Sequence, residues 1–180
     1  MSKAQPYSTL NQKILHKNPY WNYVQETYVL ADGHSNSEYY YVQSQGSTII
    51  IPLLNDETMI MVKQYRYLNQ RMSIEFPGGG ISEGMDPLEN ALKELREETG
   101  IIAGTMFPIG IFNPCNGITN EQCTVYIAKE LQFSDQDTEV TEEIAIIHVN
   151  MEECASMIQH GEIWDGMTLA SWTLFQTLQS

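Results

Sequence analysis

The chain has 180 residues, of which 42% are hydrophobic, and it carries a formal net charge of −14. This length suits one domain with a core of its own, so we expect a single domain over residues 1–180. Because a surface this acidic repels polyphosphate backbones, we expect no binding of DNA or RNA. The sequence contains no apolar run long enough to cross a bilayer and no apolar signal region near its start. We therefore expect a cytoplasmic protein that does not bind membranes.

The first part of the chain is predicted to be an N-terminal extension rich in β-structure. Residues 1–20 suggest a polar arm, and aromatic and β-branched residues over 20–45 suggest two strands joined by the turn DGHSNS at 32–37. The aromatic stretches at 21–28 and 39–41 suit a dimer interface, stacking on a base, or packing within their own sheet. The sequence alone leaves these three alternatives open.

Residues 46–180 are predicted to form the core of the protein. Strands surround one central helix, and further helices close the chain, which predicts an α+β fold built as a mixed α/β/α sandwich. The strands are expected at 47–54, 58–67, 72–76, 106–112, 122–130 and 144–150, a glycine turn at 77–80, and the terminal helices at 151–160 and 167–178.

The central helix is the clearest element of the sequence. Asp86 is a good N-cap, Pro87 suits the first helical position, and Gly100 suits the end. Four apolar residues at helical spacing are expected to pack inward. They are Leu88, Ala91, Leu92 and Leu95.

The same helix carries a cluster of carboxylates at Glu94, Glu97 and Glu98, which occupy positions i, i+3 and i+4 and so share a face. We expect this face to be distinct from the apolar one. It can be a solvated surface offset by Lys93 and Arg96, or it can supply the hard oxygen ligands that Mg²⁺ or Mn²⁺ requires. The glycine turn just before the helix favours the second interpretation, because glycines let backbone approach a metal or phosphate.

Turn, capped helix and carboxylates together resemble the signature of the Nudix hydrolases, G-x5-E-x7-R-E-U-x-E-E-x-G-U, in which U is a bulky aliphatic residue. Two positions depart from it: the first Glu is Met85 and the Arg is Lys93. The matching residues, at the required spacing, are Gly79, Glu94, Leu95, Glu97, Glu98, Gly100 and Ile101.

In the family the first Glu and the Arg hold the loop on the helix through an ion pair, whereas the later glutamates bind metal. Met85 cannot pair with Lys93, so both partners of this brace have changed together. The resemblance therefore implies a retained metal site with a less rigid loop or an altered metal affinity. Packing of the methionine side chain can replace part of the brace.

The likeness extends over residues 47–178 and is similar to the ADP-ribose pyrophosphatase group, where a strand ending Q-Y-R precedes E-x-P-A/G-G. It implies that Arg66 contacts a phosphate and that Glu75 contacts the nucleoside part of the substrate. Without the resemblance, Arg66 would be interpreted as a surface residue of a strand. Glu75 would be interpreted as a carboxylate at the end of a strand with its hydrogen bonds satisfied. Pro114 fills the place of a proline that marks ADP-ribose hydrolysis in the group, within a variant N-P-C-N-G. The matching residues are Gln64, Tyr65, Arg66, Glu75, Pro77, Gly78 and Gly79.

The resemblance implies a Nudix fold that hydrolyses the diphosphate of a nucleotide sugar, most simply ADP-ribose to AMP and ribose 5-phosphate. The metal, Mg²⁺ or Mn²⁺, is expected on the three helix glutamates and a backbone carbonyl near Gly78. Homodimers with exchanged N-terminal strands are usual in the group. Two alternatives remain: a different nucleotide sugar such as GDP-mannose, and a catalytically silent nucleotide-binding protein. The general base is expected to be Glu98 or one of the loop residues Glu139, Glu142 and Glu143.

Overall fold

The computed structural model describes residues 7–133 and 144–178. By their contacts the residues form two compact units, 1–45 with 115–121 and 46–114 with 122–180. No helix in the described part of the chain is long and apolar enough to cross a membrane. The elements are β1 (Ser8–Lys17), β2 (Asn22–Val29), β3 (Asn36–Gln43), β4 (Ser47–Pro52), β5 (Thr58–Arg66), β6 (Arg71–Glu75), β7 (Gly78–Gly80), α1 (Pro87–Thr99), β8 (Ile101–Phe112), β9 (Cys123–Phe133), β10 (Ala145–Asn150), α2 (Met151–Gln159) and α3 (Gly166–Gln176).

The smaller unit is an antiparallel sheet in the order β1-β2-β3. The hydroxyl of Tyr39 donates to the carbonyl of Gly117 at 2.8 Å, which fastens the segment 115–121 beside β3. The expectation of a polar arm over 1–20 is wrong for β1, because residues 8–17 form a strand. All ten residues of β1 are exposed, so main-chain bonds to β2 hold it, and burial leaves no pattern in its sequence.

The larger unit contains a mixed sheet in the order β7-β4-β9-β8 and an antiparallel sheet in the order β10-β5-β6. Strands β4 and β9 run parallel, and their side chains alternate between two apolar clusters. Ile49 and Ile51 join the cluster that contains Cys154 of α2 and Phe175 of α3. Ile50 joins the cluster formed with α1. Strands therefore lie between helices on both sides, which confirms the predicted α/β/α sandwich.

Helix α1 begins and ends where the sequence predicts. The carboxylate of Asp86 accepts from the amide of Leu88 at 2.9 Å, and Gly100 ends the helix with φ of 67°. The prediction that both Leu88 and Leu92 pack inward is wrong, since they are 38% and 41% exposed.

The buried face of α1 instead carries Ala91, Leu95 and Glu98, at positions i, i+4 and i+7. Glu98 is only 7% exposed. The expected separation between an apolar face and a carboxylate face is therefore incomplete. One carboxylate turns inward with the core residues, where a water-excluded position strengthens its interactions with charges and dipoles.

The predicted glycine turn is the short strand β7, whose residues pair with β4 in the register Gly78 to Ile49 and Gly80 to Ser47. Any side chain at Gly78 would be obstructed, because a Cβ there would lie 2.2 Å from the carbonyl oxygen of Thr48. We call Gly78–Gly80 the glycine segment. Its absence of side chains allows the main chain to lie in contact with its neighbours.

Replacing Gly78 with alanine is expected to destabilise the protein by at least about 3 kcal/mol, because the new Cβ meets rigid backbone rather than a movable side chain. Gly80→Ala is the matched control, since nothing lies within 4 Å of a Cβ at that position. Urea denaturation followed by circular dichroism measures both free energies of unfolding. Equal stabilities for the two variants would contradict the close packing of β7 on β4.

Candidate active site

The glycine segment lies along one row of side chains on α1. Asn90, Glu94 and Glu98 follow each other at intervals of four residues, so they are stacked on one face of the helix. The side-chain amide nitrogen of Asn90 donates to the carbonyl of Gly79 at 3.3 Å. At the other end of the row, Oε2 of Glu98 accepts from the amide of Gly78 at 2.9 Å. The segment is thus held to the helix at two points.

Glu94 lies between these two points. A Cβ on Gly79 would be 2.6 Å from Oε2 of Glu94, so the carboxylate lies against the bare backbone of this residue. The side chain of Glu94 is 15% exposed, whereas that of Glu97 is 36% exposed. The three carboxylates therefore form a graded set, from the buried Glu98 to the half-exposed Glu97, beside a strip of backbone.

Lys93 supplies positive charge to this set. Its ammonium lies 3.2 Å from Oε1 of Glu94 and 2.6 Å from Oε2 of Glu97. Burial by itself would lower the pKa of Lys93, but the hydrogen bond that its ammonium donates to Glu97 and the charge of Glu94 outweigh it and raise that pKa. Lys93 therefore stays protonated and is engaged with the helix carboxylates.

The donor set fits a hard divalent cation, because carboxylate and carbonyl oxygens are the ligands that such ions prefer. The carboxylate of Glu94 lies directly against the backbone of Gly79, so acidic and main-chain oxygens are neighbours here. Among residues 7–133 and 144–178, no three acidic, histidine or cysteine side chains already converge as a preformed ion site. Glu94 and Glu97 are instead paired with Lys93 in this structure.

A second cluster lies at the ends of β5 and β6. The guanidinium of Arg66 forks onto the carboxylate of Glu75, with Nε donating to Oε1 at 2.8 Å and Nη2 donating to Oε2. Gln64 adds a third donor, from Nε2 to Oε2 of Glu75 at 3.3 Å. Glu75 is 4% exposed, whereas the side chain of Arg66 is 46% exposed. The half-exposed side chain of Arg66 is therefore held by a buried carboxylate.

The pKa of Arg66 is raised, chiefly because Glu75 accepts its hydrogen bonds, and burial opposes this rise. The negative charges of Asp165 and Glu98 also raise it. The charge of Glu98 on α1 therefore contributes, after those of Glu75 and Asp165, to the electrostatic environment of Arg66. A permanently charged guanidinium held in one orientation is suited to binding an anionic group.

Other predicted site residues are placed less fully. Pro114 is half-buried in the turn that follows β8, and its contribution to binding stays a prediction. The candidate bases Glu139, Glu142 and Glu143 lie outside the described residues. Glu75 is engaged with Arg66, so its expected contact with a nucleoside also stays a prediction.

Sequence reasoning missed Asn90, which is 1% exposed and donates to Oγ1 of Thr48 at 2.9 Å as well as to Gly79. The available signal was its spacing, four and eight residues before two of the carboxylates. Asparagine is also a poor residue for a helix interior, which indicates that a specific contact retains it there.

The comparisons with known proteins agree with this geometry. A family model described as the NUDIX domain matches residues 44–162. An ADP-ribose pyrophosphatase of Bacillus subtilis (strain 168) is 30% identical over 129 residues, which cover 71% of this chain and 70% of that protein. A methanol dehydrogenase activator of Bacillus methanolicus is 29% identical over 130 residues, which cover 71% of this chain and 70% of that protein.

A solved structure described as an ADP compounds hydrolase has the same fold, with a TM-score of 0.82 over 99% of this chain and 96% of that one, at 14% sequence identity. The family match, the relative at 30% identity and the signature residues on α1 all confirm the resemblance drawn from the sequence. The chain belongs to the Nudix hydrolase family.

Proposed function

We propose that this protein hydrolyses the diphosphate bond of a nucleoside diphosphate sugar in a metal-dependent reaction, with ADP-ribose as the substrate and AMP and ribose 5-phosphate as the products. The observation that carries the proposal is the placement of Glu94 and Glu98 against the glycine segment with Arg66 nearby. The similarity to a protein named as an ADP-ribose pyrophosphatase supports the substrate class. GDP-mannose or a related nucleotide sugar is the alternative within the same chemistry.

Glu94, Glu97 and Glu98, with the carbonyl of Gly78, are the residues proposed to hold the ions, Mg²⁺ or Mn²⁺. When bound, such ions supply charge neutralisation at the diphosphate and make a water molecule more acidic. Charge neutralisation by bound ions matters here because the protein carries a net charge of −14 and would otherwise repel its anionic substrate.

Arg66 is proposed to bind a phosphate oxygen of the substrate. Its fork onto Glu75 uses Nε and Nη2, which leaves Nη1 to face an incoming anion. Glu75 then acts as a positioning residue, since it holds the planar guanidinium in one orientation. Pro114 is proposed to shape the substrate side of the same site.

The reaction needs a base to take a proton from the attacking water as its oxygen bonds to one phosphorus and the bond from that phosphorus to the bridging oxygen breaks. Glu98 is one candidate. It is buried, and it accepts a hydrogen bond from the amide of Gly78, whose carbonyl is a proposed ligand of the ion. Glu139, Glu142 and Glu143 are the others, on the acidic loop that the family resemblance singles out.

We also propose that the protein is a homodimer assembled through its N-terminal strands. β1 is an edge strand whose residues are all exposed, including Leu10 and Ile14 at 56% and 51%. An exposed edge strand with apolar side chains is a template for pairing with another chain.

Removing the guanidinium is expected to show how tightly the Arg66 and Glu75 pair is coupled. Arg66→Ala leaves a buried carboxylate with a weaker set of partners, so we expect a loss of about 2–3 kcal/mol, less than for a fully buried pair because Arg66 is half-exposed. Adding Glu75→Gln to that variant should recover part of the loss, since no buried charge remains. Urea denaturation measures both, and a further loss in the double variant would contradict the coupling.

The activity is tested by AMP release from ADP-ribose with Mg²⁺ or Mn²⁺, beside GDP-mannose. Glu98→Gln should reduce turnover by about 100-fold or more. Glutamine keeps an oxygen that accepts from Gly78, so the loss reports on charge rather than on the position of the glycine segment. Glu89→Gln, on the exposed first turn of α1, is the matched control and should retain activity.

The outcomes of this assay separate the alternatives. If one of the three loop glutamates is the base, its replacement by glutamine should lower kcat without weakening Mn²⁺ binding. The variants are Glu139→Gln, Glu142→Gln and Glu143→Gln. Preference for GDP-mannose would change the assigned substrate only. Nucleotide binding without turnover of any substrate would overturn the hydrolase proposal in favour of the silent binding protein.

The dimer is tested by light scattering coupled to size-exclusion chromatography. Two chains of 20.5 kDa each are expected in the wild-type particle. Ile14→Lys places a charge on β1 and should shift the particle to one chain. Gln132→Lys, which adds the same charge to exposed β9, should leave the mass unchanged. A wild-type particle of one chain would contradict the proposal.

A further inference from the structure

We propose that Asn90 is a positioning residue that fastens the glycine segment to α1 and β4, in place of the ion pair that Met85 and Lys93 cannot form. Its side-chain nitrogen donates to Oγ1 of Thr48 at 2.9 Å and to the carbonyl of Gly79 at 3.3 Å. The inference rests on the proposed function for its link to metal binding. It goes beyond the family signature, which leaves position 90 open.

The chemistry of the amide explains why asparagine suits this position. The carbonyl of Gly79 can only accept a hydrogen bond, so the nitrogen of the Asn90 side chain must face it. This orientation leaves Oδ1 of Asn90 buried without a hydrogen-bond partner among the described residues. A buried unsatisfied acceptor costs free energy, so its retention on a helix indicates that the two donated bonds offset that cost.

The usual brace is missing for a visible reason. Met85 carries no charge and is half-buried in the loop before α1. Lys93 is engaged with Glu94 and Glu97 on its own helix, at 3.2 and 2.6 Å. Neither residue therefore links the loop to the helix by an ion pair, whereas the glycine segment directly before that loop does contact α1.

Asn90 supplies that contact at the end of the helix row opposite Glu98. Glu98 holds the amide of Gly78, and Asn90 holds the carbonyl of Gly79. Glu94 lies between the two, with its carboxylate against the backbone of Gly79. Fixing both neighbours fixes the distance between this carboxylate and the carbonyl of Gly78, which are both proposed ligands of the ion. Outer contacts of this kind orient ligands and change metal affinity.

The experiment is a double-mutant cycle. One change is Asn90→Ala, and the other is Met85→Glu with Lys93→Arg, which installs the ion pair that braces the loop in the family. Mn²⁺ binding is measured by electron paramagnetic resonance, without substrate. Amide hydrogen exchange of the peptide over residues 76–85 is measured in the absence of metal. Asn90→Ala should weaken Mn²⁺ binding about tenfold and speed the exchange.

Installing the brace should restore most of the lost affinity and protection in the Asn90→Ala background, and should give a clearly smaller gain in the wild type. Such non-additivity is expected when two contacts hold the same segment in place. Equal effects in both backgrounds, or normal exchange in Asn90→Ala, would overturn the inference. Glu89→Ala, exposed on the same helix, is the control for general effects on α1.

Two further measurements separate the role of Asn90 from misfolding and from a failure to bind metal. Thr48→Val preserves shape and removes one of the two acceptors, so it should produce a smaller loss of the same kind even if Asn90→Ala folds poorly. A wild-type protein that binds no Mn²⁺ would overturn the proposed metal dependence, while the exchange of the glycine segment would still decide the role of Asn90. Turnover of a different substrate would leave the inference intact.

Discussion

Contact between helix α1 and the bare backbone of Gly78–Gly80 determines the geometry of everything else in the site. No larger residue than glycine fits at position 78, where a Cβ would meet the backbone of β4, and a Cβ at Gly79 would meet the carboxylate of Glu94. The contact brings carbonyl and amide groups beside a row of acidic side chains. A hard ion and a diphosphate both need such a surface, in which fixed dipoles and charges converge in a partly water-excluded place.

Charge balance is the second constraint on the site. Three carboxylates within two turns of a helix repel one another, and the protein as a whole is strongly acidic. In this structure Lys93 offsets two of them, and Arg66 lies near the third while it forks onto Glu75. The positive charge is therefore distributed between Lys93, which pairs with carboxylates on its own helix, and Arg66, which Glu75 holds.

The sandwich supplies rigidity to this arrangement. Strand β4 and residues 123–128 of β9 are buried on both sides, so apolar side chains pack above and below the strand that pairs with the glycine segment. Burial of each Ile or Leu side chain contributes about 1.5–3 kcal/mol, which makes β4 a firm support. The N-terminal sheet has the opposite character, because its edge strand β1 is exposed throughout and is held by main-chain hydrogen bonds.

The sequence by itself determined the family, the sandwich and the position of α1, because capping residues, apolar periodicity and the spacing of the signature are local features. It also identified the carboxylates as a set. Only the tertiary structure decided that Glu98 turns inward, that Leu88 and Leu92 stay exposed, that Glu75 holds Arg66, and that Asn90 reaches the glycine segment. These outcomes depend on which neighbour covers each face of an element, and residues distant along the chain supply that neighbour.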